Sequence, residues 1–356
     1  MMRCAPFDYR APSSAEEVAR ILAGEGGRAM VLAGGTDLVP NLKRRQQTPS
    51  VLVALRRVGE LRAIALDGGR ASIGAAVTLA EVAGDPRLAR WRALARAAGQ
   101  VATPHIRNAG TLGGNLCLDT RCNYYDQNWE WRKAIDFCMK RDATVEGGSG
   151  FPLRNDAGVC WVAPGSARCW AVSSTDSAPA LIALGAEVEL SSTAGRRVVP
   201  VAELFRDDGI EYLAKRQDEL LTAVRLPEAD GWRSTYWKLR RREAFDFPVL
   251  GVAAAVKLAA DGTVEAARLV LGAVASRPVI VDVAHLVGAR LGDEAIERAA
   301  EAAGRLAKPL DNTDFALGWR KRVAKAYVAG ALRELRGDRL EEIGLIARRA
   351  ALRPIG

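Results

Sequence analysis

Residues 32–38 read LAGGTDL, and residues 106–116 read IRNAGTLGGNL. The first follows AMVLAG (29–34), a short apolar run entering a glycine pair, as a buried strand entering a loop would. Gly34 and Gly35 let the backbone turn with positive φ and let a ligand come close to the amides. Successive N–H groups in such a turn form an anion-binding nest, with Thr36 and Asp37 placed to add donors and an acceptor. Taken alone, a plain strand–turn–helix connection explains this loop as well. The second loop, TPHIRNAGTLGGNLC (103–117), interleaves Gly110, Gly113 and Gly114 with Asn108, Thr111 and Asn115. Neither loop fits G-x-x-x-x-G-K-[ST], which excludes a P-loop nucleotidase. Neither supplies a full G-x-G-x-x-G at a strand–helix junction, so a Rossmann site is poorly supported. Two separate Gly/Thr loops suit one extended, doubly phosphorylated ligand such as a dinucleotide.

The rest of the chain sets the frame for these loops. At 356 residues, 49% hydrophobic and 26% charged, it has the balance of a globular protein of two or three domains. No signal-length or bilayer-spanning apolar run is evident, so a cytoplasmic protein without membrane attachment is expected. The formal charge of +9 is scattered rather than gathered in one basic run. That argues against nucleic acid and suits an acidic protein partner. Only His105 and His285 occur, which excludes any three-His metal site.

Along the chain, Ser14 and Glu17 form a capping box before the helix AEEVARILAG, which should stop near Gly24. SVLVAL (50–55) and RASIGAAV (70–77) read as strands, and residues 79–101 as two helices. Helix and strand signals weaken from Thr103 to Cys169, a loop long enough to be functional. SAPALIALGAEVEL (177–190) returns to a helix and a strand, and LLTAVRLP (220–227) is a strand before a boundary near Pro227. Beyond it, two apolar runs flank the turn signal Asp261-Gly262, a hairpin. Helical stretches at 292–307 and 313–335 follow, so this part is α+β.

LAGGTDL and IRNAGTLGGNL, with SSTDSAPALIALGA (173–186), ELLTAVRLP (219–227) and YWKLRRREAFDFPVLGVAAAV (236–256), resemble the FAD-binding subunit of the molybdenum hydroxylases. That family includes xanthine dehydrogenase and the medium subunit of aerobic carbon monoxide dehydrogenase. The motifs are collinear over essentially the whole chain. The resemblance implies an α+β fold: a two-subdomain FAD-binding domain of the molybdopterin dehydrogenase type (1–55 and 56–227), then a C-terminal α+β domain of antiparallel sheet and helices (228–356). It implies that FAD is held by Leu32, Ala33, Gly34, Gly35, Thr36, Asp37 and Leu38 of the first loop. From the second loop it implies Asn108, Gly110, Thr111, Gly113, Gly114 and Asn115, joined by Leu221. By position, Asp176 matches the carboxylate that hydrogen-bonds FAD hydroxyls, and Lys238 the lysine beside the flavin. From the residues alone, Asp176 is equally an N-cap for the next helix, Lys238 a solvated charge, and KLRRRE a solvated face.

Five of the six cysteines lie between residues 117 and 169, in CLDTRCNYYDQNWEWRKAIDFC (117–138) and GVCWVAPGSARCW (158–170). In a reducing compartment such a cluster is metal-binding or catalytic more often than a disulfide framework. No C-x-x-C occurs, so zinc-ribbon and bacterial-ferredoxin spacings fail, and four thiolates fit either zinc or iron–sulfur. The stretch resembles the β subunits of the 4-hydroxybenzoyl-CoA reductase branch. There, an insertion between the second FAD loop and SSTD carries a 4Fe–4S cluster. The resemblance assigns the ligands as Cys122, Cys138, Cys160 and Cys169. Cys117 is read as a small buried residue, and Cys4 has no assigned role. The segment RDATVEGGSGFPLRNDAG (141–158) is longer than the branch pattern and is read as a surface excursion. The aromatics Tyr124, Tyr125, Trp129, Trp131, Trp161 and Trp170 either exclude water from a cluster or simply pack the loop.

The implied activity is electron transfer in the degradation of an aromatic compound. Electrons from a low-potential donor such as a ferredoxin would enter at 4Fe–4S and pass through FAD. A small partner subunit with 2Fe–2S clusters and a large molybdopterin-binding subunit would receive them, and 4-hydroxybenzoyl-CoA would lose its hydroxyl to give benzoyl-CoA. No catalytic residue is expected on this chain. The rival readings are a flavin subunit of an oxidising molybdenum hydroxylase, passing electrons outward, and a zinc-stabilised assembly module.

Overall fold

The computed structural model describes residues 3–141, 153–154, 158–242, 244–339, 341 and 343. Most of the expected surface excursion at 141–158 therefore lies outside the described residues.

The first unit is a small parallel sheet in the order Asp8–Arg10, Val51–Ala54, Ala29–Leu32. All four residues of its central strand are buried. The helix Ala15–Glu25 covers it, burying Ala15, Val18 and Leu22 at i, i+3 and i+7, one face of a helix. Ser14 Oγ accepts from the Glu17 amide at 3.1 Å, and the Glu17 carboxylate accepts from the Ser13 amide at 2.8 Å. The start is capped as expected, with Ser13 taking the return bond. The end comes at Gly26, whose φ of 55° leaves the helical region.

The second unit is a five-stranded antiparallel sheet, ordered Ile64–Asp67, Arg70–Gly74, Leu220–Leu226, Glu187–Ser192, Gly195–Pro200. Helices Leu79–Gly84, Arg92–Gly99 and Ser177–Leu184 accompany it. Every residue of Ser177–Leu184 is buried, because this helix packs between the second unit and the strands Leu250–Leu258 and Val264–Gly272 of the third.

The third unit is a four-stranded antiparallel sheet in sequence order, Trp232–Leu239, Leu250–Leu258, Val264–Gly272, Val279–Val281. Its hairpin turns at Gly262, with φ 83°. On the central strand, Ala253 and Ala255 enter the core of the second unit. Val252, Ala254 and Val256 enter a separate core under helices Asp293–Leu306 and Leu317–Arg336. Burial on both faces explains the uninterrupted apolar run of this strand, where one-sided burial would show alternation. Pro227 thus marks a change of sheet but not of core. Among the described residues no helix is long and apolar enough to cross a membrane.

The stretch 103–169 contains helices Pro104–Ala109, Leu112–Leu116 and Trp129–Ala134. They are too short for periodicity to register, and each is started by a capping side chain. Thr103 Oγ1 accepts from Ile106 N–H at 3.4 Å, Thr111 Oγ1 from Gly114 N–H at 3.0 Å, and Asn128 Oδ1 from Trp131 N–H at 2.8 Å.

Candidate functional site

The two glycine loops meet. A Cβ on Gly34 would lie 1.9 Å from the Ala109 carbonyl oxygen, so the first loop can touch the second only as glycine. Gly34 serves contact between loops, whereas Gly35, at φ 72°, makes the turn into the helix Leu38–Lys43. Together the loops wall a cleft of about 380 Å³, within the range of ~300–1,000 Å³ typical of small-molecule sites. Ala33, Gly34, Gly35, Thr36, Asp37 and Leu38 line one side of it. Gly110, Thr111, Gly113, Gly114 and Asn115 line the other, with Asp176 and Leu221 also in the wall. Leu32, Asn108 and Lys238 do not line it: Leu32 is half-buried at a strand end, Asn108 is exposed, and Lys238 reaches the wall only through Asp176.

Several polar groups expected to face a ligand are committed within the protein. Gly114 N–H donates to Thr111, and Asn115 Oδ1 accepts from Thr175 Oγ1 at 2.8 Å and from the Ser177 amide at 3.1 Å. Asp37 is ion-paired with Arg121 and accepts from Asn41 Nδ2 at 3.2 Å. Arg121 also stacks on Phe247, 4.5 Å from the ring centre. Phe247 and Phe245 give the cleft an aromatic edge, and Phe245 holds an unusual positive φ of 72°.

Asp176 sits at the N-cap position of Ser177–Leu184 but makes no side-chain cap bond. Its Oδ1 accepts from Tyr236 Oη at 2.8 Å, and its Oδ2 from Lys238 Nζ at 3.0 Å. Lys238 also donates to the Gln100 carbonyl at 3.0 Å, and its side chain has no exposed surface. The lysine is therefore a buried ion-pair partner, not a solvated charge. Burial pushes the Asp176 carboxyl up against the opposing pull of Lys238. Burial pushes the Lys238 ammonium down, with Asp176 resisting.

Cys122, Cys138, Cys160 and Cys169 line one second cavity, together with Tyr124, Tyr125, Met139, Lys140 and Trp161. Three of these cysteines are buried and Cys138 is half-buried. Burial pushes the Cys122 and Cys138 thiols up and that of Cys169 to about 12, with the Lys140 ammonium pulling against burial at Cys138 and Cys169. Among the described residues, no three Cys, His, Asp or Glu side chains converge on the position of a single metal ion. The four cysteines around this cavity are the donor set that the sequence resemblance assigns to a metal centre.

Cys117 is half-buried and lines the first cleft. Trp129, Trp131 and Trp170 do not line the cysteine cavity, and Trp161, 42% exposed, forms its outer edge. These aromatics exclude water only in part. The described structure gives Cys4 no link to either site.

Sequence reasoning missed a set of residues that join the two sites. Cys117, Leu118, Asp119 and Arg121 line the cleft, while Cys122 lines the cavity. Adjacent Cα atoms are about 3.8 Å apart, so the two sites share a wall. Within it, Lys140 donates to Asp119 and Thr120, and Thr120 Oγ1 donates to the Gly209 carbonyl. Gly209 is required there, since a Cβ would lie 2.7 Å from Cys169 Sγ. Every one of these contacts joins positions remote in sequence, and no local pattern signals them.

Three units of sheet and helix, with paired glycine loops walling one cleft, define a flavin-binding subunit of the molybdopterin dehydrogenase class. Residues 5–229 match the FAD binding domain in molybdopterin dehydrogenase, and residues 234–335 match the CO dehydrogenase flavoprotein C-terminal domain. The chain belongs to this family and is a flavin subunit of the molybdenum hydroxylases, built like the medium chain of carbon monoxide dehydrogenase. It is 32% identical to the aldehyde oxidoreductase FAD-binding subunit PaoB of Escherichia coli (strain K12), over 72% of this chain and 78% of that one. It is 28% identical to the carbon monoxide dehydrogenase medium chain of Hydrogenophaga pseudoflava, over 92% of this chain and 96% of that one. Among solved structures, carbon monoxide dehydrogenase from that organism superposes with a TM-score of 0.73 at 26% identity, covering 94% of this chain and 99% of the other. Quinoline 2-oxidoreductase from Pseudomonas putida 86 gives 0.68 at 26% identity, over 94% and 98%.

Proposed function

We propose that this chain is the FAD-carrying electron-transfer subunit of a cytoplasmic, heteromeric molybdenum hydroxylase of the oxidising type. Its partners in this reading are a large molybdopterin-binding subunit and a small 2Fe–2S subunit. Relatives named as dehydrogenases of carbon monoxide and nicotinate, and as an aldehyde oxidoreductase, support that direction. The carrying observation is the single cleft walled by both glycine loops. Bound FAD supplies the exchange between two-electron and one-electron carriers. The chain's own residues hold it: the loops grip the pyrophosphate, Asp176 takes flavin-nucleotide hydroxyls from a position locked by Tyr236 and Lys238, and the phenylalanines shield one edge. Residues 1–55 and 56–227 act as the two FAD subdomains and 228–356 as the C-terminal support. The test is the absorbance of protein purified without denaturation. One flavin per chain is expected, and colourless protein of full stability sinks the reading.

A second reading is favoured by one observation, the four cysteines around a cavity that shares a wall with the cleft. In it, Cys122, Cys138, Cys160 and Cys169 hold a 4Fe–4S cluster, and the subunit serves a reductase of the 4-hydroxybenzoyl-CoA type fed by a ferredoxin. Iron, sulfide and zinc analysis of anaerobically prepared protein decides the centre: about four irons and four sulfides are expected by the ligand count. Zinc without labile sulfide points instead to an assembly module. Reduction of the flavin by reduced ferredoxin separates the inward from the outward direction of electron flow.

A further inference from the structure

The wall between the cleft and the cysteine cavity contains a buried ion pair. Lys140 Nζ lies 2.5 Å from Asp119 Oδ1 and 2.8 Å from Thr120 Oγ1, and the two charged side chains are 0% and 2% exposed. The ammonium rests over the Tyr125 ring, 4.6 Å from its centre. The other Asp119 oxygen accepts from Gln47 Nε2 at 3.3 Å. Desolvating such a pair costs several kcal/mol per ion, and replacing a buried pair by apolar groups is often neutral or stabilising, so the pair is weak evidence of a stability device. Its orientation is specific: Asp119 lines the flavin cleft, and Lys140 lines the cysteine cavity. With both charges out of water, its field is little screened by solvent or salt.

We propose that Asp119–Lys140 is an oriented dipole that sets the potential difference between the flavin and a cluster held by the four cysteines. The positive end lies toward the cysteines and favours an added electron there. The negative end lies toward the flavin and disfavours one. The pair thus holds the electron on the cluster side and lowers the drive toward the flavin. Both residues are positioning residues, acting through the field and exchanging no atoms. The inference rests on the cluster reading above.

The test is a redox titration of the full chain prepared anaerobically, following the cluster by electron paramagnetic resonance and the flavin by absorbance. In Lys140→Met the cluster midpoint should fall by about 59 mV, a tenfold change in the one-electron oxidised-to-reduced ratio. Lys140→Arg, which keeps the charge, should stay within about threefold of the parent. Asp119→Asn is isosteric and should move the flavin midpoint the opposite way, upward. Opposite-signed shifts with flavin, iron and sulfide contents retained support the dipole. Unchanged midpoints, or shifts of one sign in both variants, overturn it. If Lys140→Met does not fold, an unmoved flavin midpoint in Asp119→Asn alone overturns it. A parent protein without iron and sulfide overturns the proposal through the cluster reading, and metal analysis distinguishes that failure before any potential is measured.

Discussion

At the scale of residues, Gly34 and Asp176 show how little of a side chain's role lies in its identity. Gly34 belongs to a motif that invites a ligand-facing explanation, yet its missing Cβ is required by the Ala109 carbonyl. Gly34→Ala should cost about 3 kcal/mol and lower flavin content, because backbone must shift to admit the methyl. Urea unfolding with the flavin-to-protein absorbance ratio checks both effects. Asp176 neutralises a lysine with no exposed side-chain surface. Asp176→Asn leaves that charge buried and unpaired and should destabilise the protein by about 3–5 kcal/mol. Adding Lys238→Met should recover part of the loss in the same urea assay. A loss in the single variant below about 1 kcal/mol would show the pair to be well hydrated.

At the scale of elements, the neighbours of each strand and turn decide what it can bear. Glu219 precedes the strand Leu220–Leu226 and receives Arg197 of the edge strand through two bonds, at 2.6 and 2.9 Å, plus the Arg216 amide at 2.6 Å. Burial pushes its carboxyl up, but these bonds outweigh burial and hold it below the ordinary value. A carboxylate so lowered contributes stability that is complete above the unfolded pKa of about 4.3 and is lost as pH falls through the lower folded value. Glu219→Gln should therefore lose stability at pH 7 and show a flatter decline in acid, read from melting temperatures at pH 7 and pH 3. The turn around Gly209 is constrained from the other side, with Cys169 Sγ and Ala171 Cβ at 2.7 and 2.8 Å from where a Cβ would sit. On the cluster reading, Gly209→Ala pushes this turn off the cysteine cavity and should lower iron content while flavin is kept. Equal loss of both would mean that the turn supports the whole second unit.

At the scale of the molecule, the C-terminal helix is tied to the flavin-binding part through one carboxylate. Glu334 accepts from Arg96 Nη1 at 2.8 Å, Thr235 Oγ1 at 2.8 Å and Trp237 Nε1 at 2.6 Å, and it is only 6% exposed. Glu334→Gln keeps the shape but removes the charge that satisfies two arginines, Arg92 and Arg96. A loss of about 2 kcal/mol is expected, with calorimetric unfolding broadening as the two parts uncouple. A single sharp transition at the parent temperature would show that the shared apolar core alone couples them.

Much of this architecture was legible in local pattern. The glycine loops, the capped first helix and the Asp261-Gly262 hairpin all follow from residues close in sequence. Their local causes (capping hydroxyls, turn glycines, apolar periodicity) act over a few positions, so the chain by itself determined these elements, whereas the close approach of the two loops at Gly34 and Ala109 is a tertiary contact. Only the tertiary structure decided which charges meet. The pairs of Asp37 with Arg121, Asp176 with Lys238, and Asp119 with Lys140 join different segments, as does the gathering of four cysteines with Gly209 against them. Such contacts are selected by packing and by the cost of leaving a buried charge alone, and neither is written in the spacing of residues along the chain.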